Sequence, residues 1–95
     1  MYAMIRKYQF DQSKGEDVDR KIQEMFLPLL EKVPGFVTYY WLDTGEGSGA
    51  SLTVFQDKAG VEESLHIAAN FVRDHMAGIE VSSPEVTQGE VRAHA

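Results

Sequence analysis

The stretch from 33 to 43, VPGFVTYYWLD, constrains the fold more than any other part of the chain. After Pro34-Gly35 it has the composition of a β-strand, but apolar and polar residues do not alternate along it. A strand of this kind is apolar on both faces, so both faces need cover. Period-two alternation predicts Phe36, Tyr40 and Leu42 on one face and Val37, Tyr39 and Trp41 on the other.

Composition limits the classes of protein that the chain can be. It has 95 residues, of which 43% are hydrophobic and 25% charged, as in a single small globular domain spanning 1–95. A formal net charge of −6 argues against nucleic acid and anionic membranes as partners, because both need basic patches. The absence of cysteine excludes disulfides and thiolate chemistry. No apolar run could cross a bilayer and charge comes too early for a signal peptide, so we expect a cytoplasmic location.

Periodicity and breaker residues predict four strands and two helices. A strand is predicted over 2–10, followed by a helix from 16 to 33 whose apolar positions recur at helical spacing. Pro28 should kink this helix around 24–28, because proline removes a backbone hydrogen bond and clashes with the preceding turn. Strands at 36–42 and 50–55 flank a glycine-rich loop, which indicates a hairpin. Further along, a helix is predicted over 58–76 with Asp57 as N-cap, and a strand over 85–93 with a bulge at Gly89.

The predicted order β-α-β-β-α-β is that of a ferredoxin-like α+β fold, with a four-stranded antiparallel sheet and two helices on one face. Two helices can cover only one face, and an uncovered apolar face would be a large exposed patch. We therefore expect a homodimer in which two sheets pack face to face through one of the two aromatic-rich faces of the second strand. The alternative is that these aromatic residues lie on a solvated face because they form strands well.

Four segments together resemble a known family: YAMIRKYQF, PLLEKVPGFVTYYWLD, SLTVFQDKAGVEES and VTQGEV. They are similar to the antibiotic biosynthesis monooxygenase-like group of the dimeric α+β barrel superfamily, over nearly the whole chain from 2 to 91. The resemblance implies a barrel formed by two packed sheets and a ligand pocket between each monomer's sheet and its helices. Because a Phe directly after Pro-Gly usually anchors the end of the first helix in this group, the resemblance also implies that Phe36, Tyr40 and Leu42 face the helices. Val37, Tyr39 and Trp41 are then expected in the dimer interface. Members of the group include cofactor-free oxygenases of polyphenols and haem-degrading enzymes.

The function that the resemblance implies is a cofactor-independent monooxygenase, or a related small-molecule enzyme, acting on an aromatic or polyketide-like substrate. Such chemistry needs a base or a cation to stabilise a phenolate, and apolar walls to exclude water. No cofactor is expected. Two alternatives stay open: a non-catalytic binder of a small apolar or aromatic ligand, and a structural module whose interior is filled by its own side chains.

Arg6 and His75 are the candidate catalytic residues. Arg6 lies among apolar strand residues, where a cation needs a partner, either a ligand anion or a carboxylate at Glu85 or Glu90. His75 flanks the apolar stripe of the second helix and is expected to face the cavity as a general base. Its alternative role is that of a boundary histidine bonded to backbone or water. The expected substrate contacts are Tyr8, Tyr40, Ser64 and Phe71.

Haem, metals and dinucleotides are not expected. The haem-degrading branch carries a tryptophan upstream of a ligand histidine on the second helix and an asparagine on the first strand, whereas the one tryptophan here is Trp41, on a strand. No histidine or carboxylate spacing matches a zinc site. The run GEGSGA at 45–50 resembles a dinucleotide-binding fingerprint, but a strand follows it where the fingerprint needs a helix.

Overall fold

Four strands and two helical segments follow one another in the order β-α-β-β-α-β. A computed structural model describes residues 1–95. The first helical segment combines a 3-10 turn, an α-helix, a π-helical turn and a second α-helix. The elements are β1 (Tyr2–Gln9), the 3-10 turn (Gln12–Lys14), α1 (Gly15–Lys21), the π-helical turn (Ile22–Phe26), α2 (Leu27–Glu31), β2 (Phe36–Gly45), β3 (Ser48–Phe55), α3 (Lys58–His75) and β4 (Glu85–Glu90).

The strands pair antiparallel in the order β2-β3-β1-β4, so the predicted ferredoxin-like α+β fold is confirmed. The predicted bulge at Gly89 is wrong, because Gly89 lies opposite Ala3 and β4 pairs with β1 without a register shift. The prediction assumed that Val91 belongs to the strand, whereas β4 ends at Glu90. No helix is both long enough and apolar enough to cross a membrane.

Pro28 lies in the first turn of α2, directly after the π-helical turn. There the backbone N–H of Leu27 reaches the carbonyl of Ile22, five residues earlier. The irregularity predicted around 24–28 is therefore present, and it takes the form of this wider turn, because proline leaves a carbonyl of the preceding turn without its usual donor. Ile22 and Phe26, at the two ends of the turn, are both buried.

The helices cover one face of the sheet and form the core with it. The main cluster joins the first helical segment to α3 and the residues after it, and consists of Val18, Ile22, Phe26, Leu30, Ala68, Phe71, Met76 and Ile79. A smaller cluster of Met4, Phe55 and Val61 lies beside it. Gly60 of α3 packs so closely on the Phe55 ring that a Cβ at this position would collide with it, which lets the helix approach the sheet.

A β-bulge near the start of β2 determines which of its side chains face the helices. Phe36 lies opposite Phe55, but the next residue of β3, Val54, lies opposite Thr38. Val37 is therefore an extra residue, and beyond it the alternation of faces is reversed.

The predicted division of β2 into two faces was consequently wrong beyond Val37. Tyr39 and Trp41 pack against the helical core together with Phe36. Tyr40 and Leu42 lie on the opposite, open face, where they are 57% and 53% exposed. The prediction assumed strict alternation along the strand, and the bulge at Val37 breaks it.

Candidate functional site

A small cavity of about 40 Å³ lies between the sheet and the helices. That is room for a few water molecules, well below the ~300–1,000 Å³ of typical ligand pockets. Its wall is apolar and aromatic apart from one charged side chain, Arg6. The lining residues are Arg6, Tyr8, Phe10, Val18, Ile22, Phe26, Tyr39, Trp41, Ala68, Phe71, Val72, Met76 and Val81.

Arg6 is only 1% exposed and most of its donors have no partner. Its Nη2 donates a hydrogen bond of 3.2 Å to Thr53 Oγ1, and its guanidinium carbon lies 5.8 Å from the centre of the Phe26 ring. Nε and Nη1 have no hydrogen-bond partner. An unpaired buried cation is costly, so these donors mark a place where an anion would be stabilised.

The proposed pairing of Arg6 with a carboxylate of β4 is wrong. No salt bridge joins Arg6 to Glu85 or Glu90. In the register of β4, Val86 lies opposite Arg6. Glu85 lies opposite Lys7 and therefore points to the other face, and Glu90 lies opposite Tyr2, four residues from Arg6 along β1.

Two tyrosines of the cavity wall stay protonated at neutral pH. Burial raises the pKa of Tyr39 to about 12, although the nearby Arg6 guanidinium acts in the opposite direction. Burial also raises the pKa of Tyr8, and Arg6 again opposes the effect. Both phenols are therefore suited to hydrogen bonding with a ligand and not to service as a base.

Trp41 closes the cavity beside the edge of the sheet. Its indole Nε1 donates a hydrogen bond of 2.8 Å to Asp19 Oδ1 of α1. Its ring centre lies 6.2 Å from that of Tyr8 and 6.3 Å from that of Phe10. The tryptophan assigned to a dimer interface by the sequence is thus a wall of the cavity.

Among the predicted site residues, Arg6, Tyr8 and Phe71 line the cavity. Ser64 is buried elsewhere and donates to the Val61 carbonyl at 2.6 Å. Tyr40 lies on the open face because of the bulge in β2.

His75 was expected to face the cavity, but it is exposed and does not line it. Its ring centre lies 5.1 Å from that of Phe71, with the two ring planes tilted by 38°. His75 is the last residue of α3, so its side chain lies at the end of the helix, where it is exposed although Phe71, one turn earlier on the same side, is buried.

The sequence missed Tyr39, Trp41 and Phe26 as cavity residues. The sequence does indicate that Tyr39 and Trp41 belong to the same surface, since residues two apart point to the same face of a strand, whichever face that is. Phe26 comes from the π-helical turn, whose geometry the sequence did not predict. No group of three or more His, Cys, Asp or Glu side chains is placed to hold a metal ion.

Comparison with known proteins places the chain in a structural class. No protein-family model matches it, and no curated protein matches it. Solved structures do match over nearly the full length. One is a dimeric ferredoxin-like protein from an uncultured marine organism, 9% identical, with a TM-score of 0.77 and coverage of 99% of this chain and 96% of that chain.

Two further matches are a monooxygenase and a heme-degrader. A monooxygenase from the gene ActVA-Orf6 of Streptomyces coelicolor, in complex with nanaomycin D, is 9% identical with a TM-score of 0.76, covering 99% of this chain and 89% of that chain. The heme-degrader MhuD of Mycobacterium tuberculosis, with two hemes bound in its active site, is 15% identical with a TM-score of 0.76, covering 100% and 99%. At such identities the likeness establishes the fold, and function rests on the site.

Proposed function

We propose that this protein is a cofactor-independent monooxygenase, or a closely related small-molecule enzyme, acting on an aromatic substrate with an acidic hydroxyl group. The observation that supports this most is Arg6, a buried guanidinium with two unpaired nitrogens in an otherwise apolar cavity. A phenolate would satisfy those donors, and a cation beside it lowers the free energy of the ionised form. The likeness in fold to a monooxygenase supports the same proposal.

The roles of the residues follow from their chemistry. Arg6 stabilises the phenolate, Tyr8 and Tyr39 donate hydrogen bonds, and the apolar wall excludes water from the electron-rich ring. A hydroquinone supplies four electrons to O₂: one oxygen atom enters the ring to give a hydroxyquinone, and the other leaves as water. Such a reaction balances without an external reductant.

A second candidate, a non-catalytic binder of small aromatic anions, has its own support. The cavity is lined by no carboxylate and no imidazole, so a bound phenol has no general base in contact with it. A ligand that is already ionised would bind to Arg6 without needing one. A haem-degrading role has less support, because His75, the residue that could have served as the axial ligand, does not line the cavity.

Oxygen uptake with a panel of hydroquinones tests the two candidates. A monooxygenase consumes O₂ faster than the uncatalysed reaction and gives hydroxyquinone and water, and Arg6→Met abolishes the difference. Arg92→Met, which removes an exposed arginine, is the matched control and should leave uptake unchanged. Binding of the same compounds without uptake would support the binder, and neither binding nor uptake would refute both.

The open face of the sheet supports the proposal of a homodimer. Tyr40, Leu52 and Ile5 lie opposite one another in a single cross-strand row on this face. Tyr40 and Ile5 are 57% and 40% exposed, and Leu42 lies beside Tyr40. A second copy of the chain would cover this apolar surface sheet to sheet, as the dimeric fold of one matching structure also favours.

A further inference from the structure

Three side chains separate the cavity from a groove at the edge of the sheet. Ile22, Tyr39 and Trp41 line the cavity of about 40 Å³ and also line an open groove of about 390 Å³. The groove runs between β2, which is an edge strand, and the π-helical turn. Joined together, the two spaces would reach the ~300–1,000 Å³ range of small-molecule sites, which the cavity alone does not.

Of these three side chains, Trp41 is the one that a single hydrogen bond holds in place at the surface. Its hydrogen bond to Asp19 is its one polar side-chain contact, and this bond lies at the surface. Ile22, by comparison, is buried in the main core, and Tyr39 packs edge-on against Phe26 with ring centres 5.5 Å apart. Rotation of the indole away from the cavity needs the loss of this exposed hydrogen bond and of the ring contacts with Tyr8 and Phe10, but of no backbone hydrogen bond.

A second recess, of about 230 Å³, adjoins the cavity at Tyr8, Val72 and Val81. The segment that closes it is tied to β1 at several points. The Ser82 N–H donates to the Gln9 carbonyl at 2.8 Å, and the Gln9 N–H donates to Ser82 Oγ at 2.9 Å. Phe10 and Val81 also form a β-bridge. Opening at this side would break backbone hydrogen bonds, so the Trp41 side is favoured.

We propose that Trp41 is a gate, held closed by Asp19, through which an aromatic anion passes from the edge groove to Arg6. This inference rests on the proposed function, because it assumes that a ligand reaches Arg6. The groove contributes to selection as well. Asp19 and Asp43 both line it, so the part of the ligand that stays in the groove should be neutral or a hydrogen-bond donor, while its acidic group leads into the cavity.

Stopped-flow binding of anilinonaphthalene sulfonate, a fluorescent aromatic anion, tests the gate without relying on turnover. Asp19→Ala removes the acceptor for the indole N–H and should raise the association rate about five- to tenfold. Asp19→Asn is the matched variant, because it removes the same charge but keeps an oxygen that accepts from Trp41. Its rate should stay within about twofold of wild type.

Acrylamide quenching of Trp41, the sole tryptophan, gives a second readout that needs no ligand. Quenching should increase in Asp19→Ala and stay near wild type in Asp19→Asn, at unchanged melting temperature. Equal acceleration in both variants would show an effect of charge and overturn the gate. The gate would also be overturned if Ser82→Ala accelerated binding and Asp19→Ala did not, or if the probe failed to bind the wild-type protein. A gate effect without oxygen uptake would leave the gate standing and refute the monooxygenase.

Discussion

The indole of Trp41 lies directly on Gly49, on the helix-covered face of the sheet, and leaves no room for a Cβ at that position. Gly49 sits in β3 between Tyr8 of β1 and Asp43 of β2. Its backbone is not in the left-handed region, so glycine is needed here for space and not for conformation. The absent side chain at 49 is what allows Trp41 to form the wall of the cavity.

Gly49→Ala should therefore displace the indole and break its bond to Asp19. We expect a loss of about 1–3 kcal/mol in the free energy of unfolding, from overpacking. The emission of Trp41 should shift to the red as the ring becomes solvated. Gly78→Ala is the control, since a Cβ there meets no atom within 4 Å. Unchanged emission and stability in Gly49→Ala would contradict the proposed packing.

Arg6→Met should stabilise the protein while it abolishes binding of aromatic anions. The guanidinium is buried with Nε and Nη1 unpaired, so its replacement by an apolar side chain of similar length removes a desolvation cost. The expected gain is about 1–3 kcal/mol in urea unfolding. A loss of stability instead would mean that the bond to Thr53 and the contact with Phe26 outweigh the cost of burial.

Alkaline pH should destabilise the fold through Tyr39. Its pKa is raised by burial to about 12, against about 10 in the unfolded chain. A raised pKa favours the folded state while the phenol is protonated, so this contribution is full below pH ~10 and is lost as pH rises toward ~12. Urea unfolding across this range should show a steeper fall in wild type than in Tyr39→Phe, and parallel curves would refute the assignment.

Sedimentation should give a dimer of about 21 kDa, twice the 10.7 kDa chain. Leu42→Glu places a charge on the open face and should shift the protein toward monomer without unfolding it. Trp41→Ala should instead lower the free energy of unfolding with no change in dimer affinity, because Trp41 packs against the helices of its own chain. The opposite pattern in these two variants would restore the face assignment expected from the sequence.

His75→Ala tests the general base suggested by the sequence. Because His75 is exposed outside the cavity, we expect ligand binding and oxygen uptake to be unchanged, with only the ring contact to Phe71 lost. A fall in uptake with unchanged binding would return His75 to the catalytic residues.

Order and type of the elements could be predicted because turn signals such as Pro34-Gly35 and apolar periodicity act locally. Arg6 could be identified because a cation within an apolar strand is unusual and needs a partner wherever it lies. The division of β2 into two faces could not be predicted, since it depends on how Phe36 and Thr38 pair with a strand distant in sequence. Phe26 was missed for a similar reason, because the π-helical turn has no simple periodicity.

The extra residue at Val37 has a consequence for the comparison of related sequences. Deletion of that one residue would remove the bulge and leave a regular strand in which Thr38 follows Phe36 directly, so Trp41 and Leu42 would keep their present faces while their positions shift by one in the sequence. A relative without the insertion therefore needs a gap at this point before its residues are matched to Tyr39 and Trp41. An ungapped alignment through this strand would compare the pocket of one protein with the outer surface of the other.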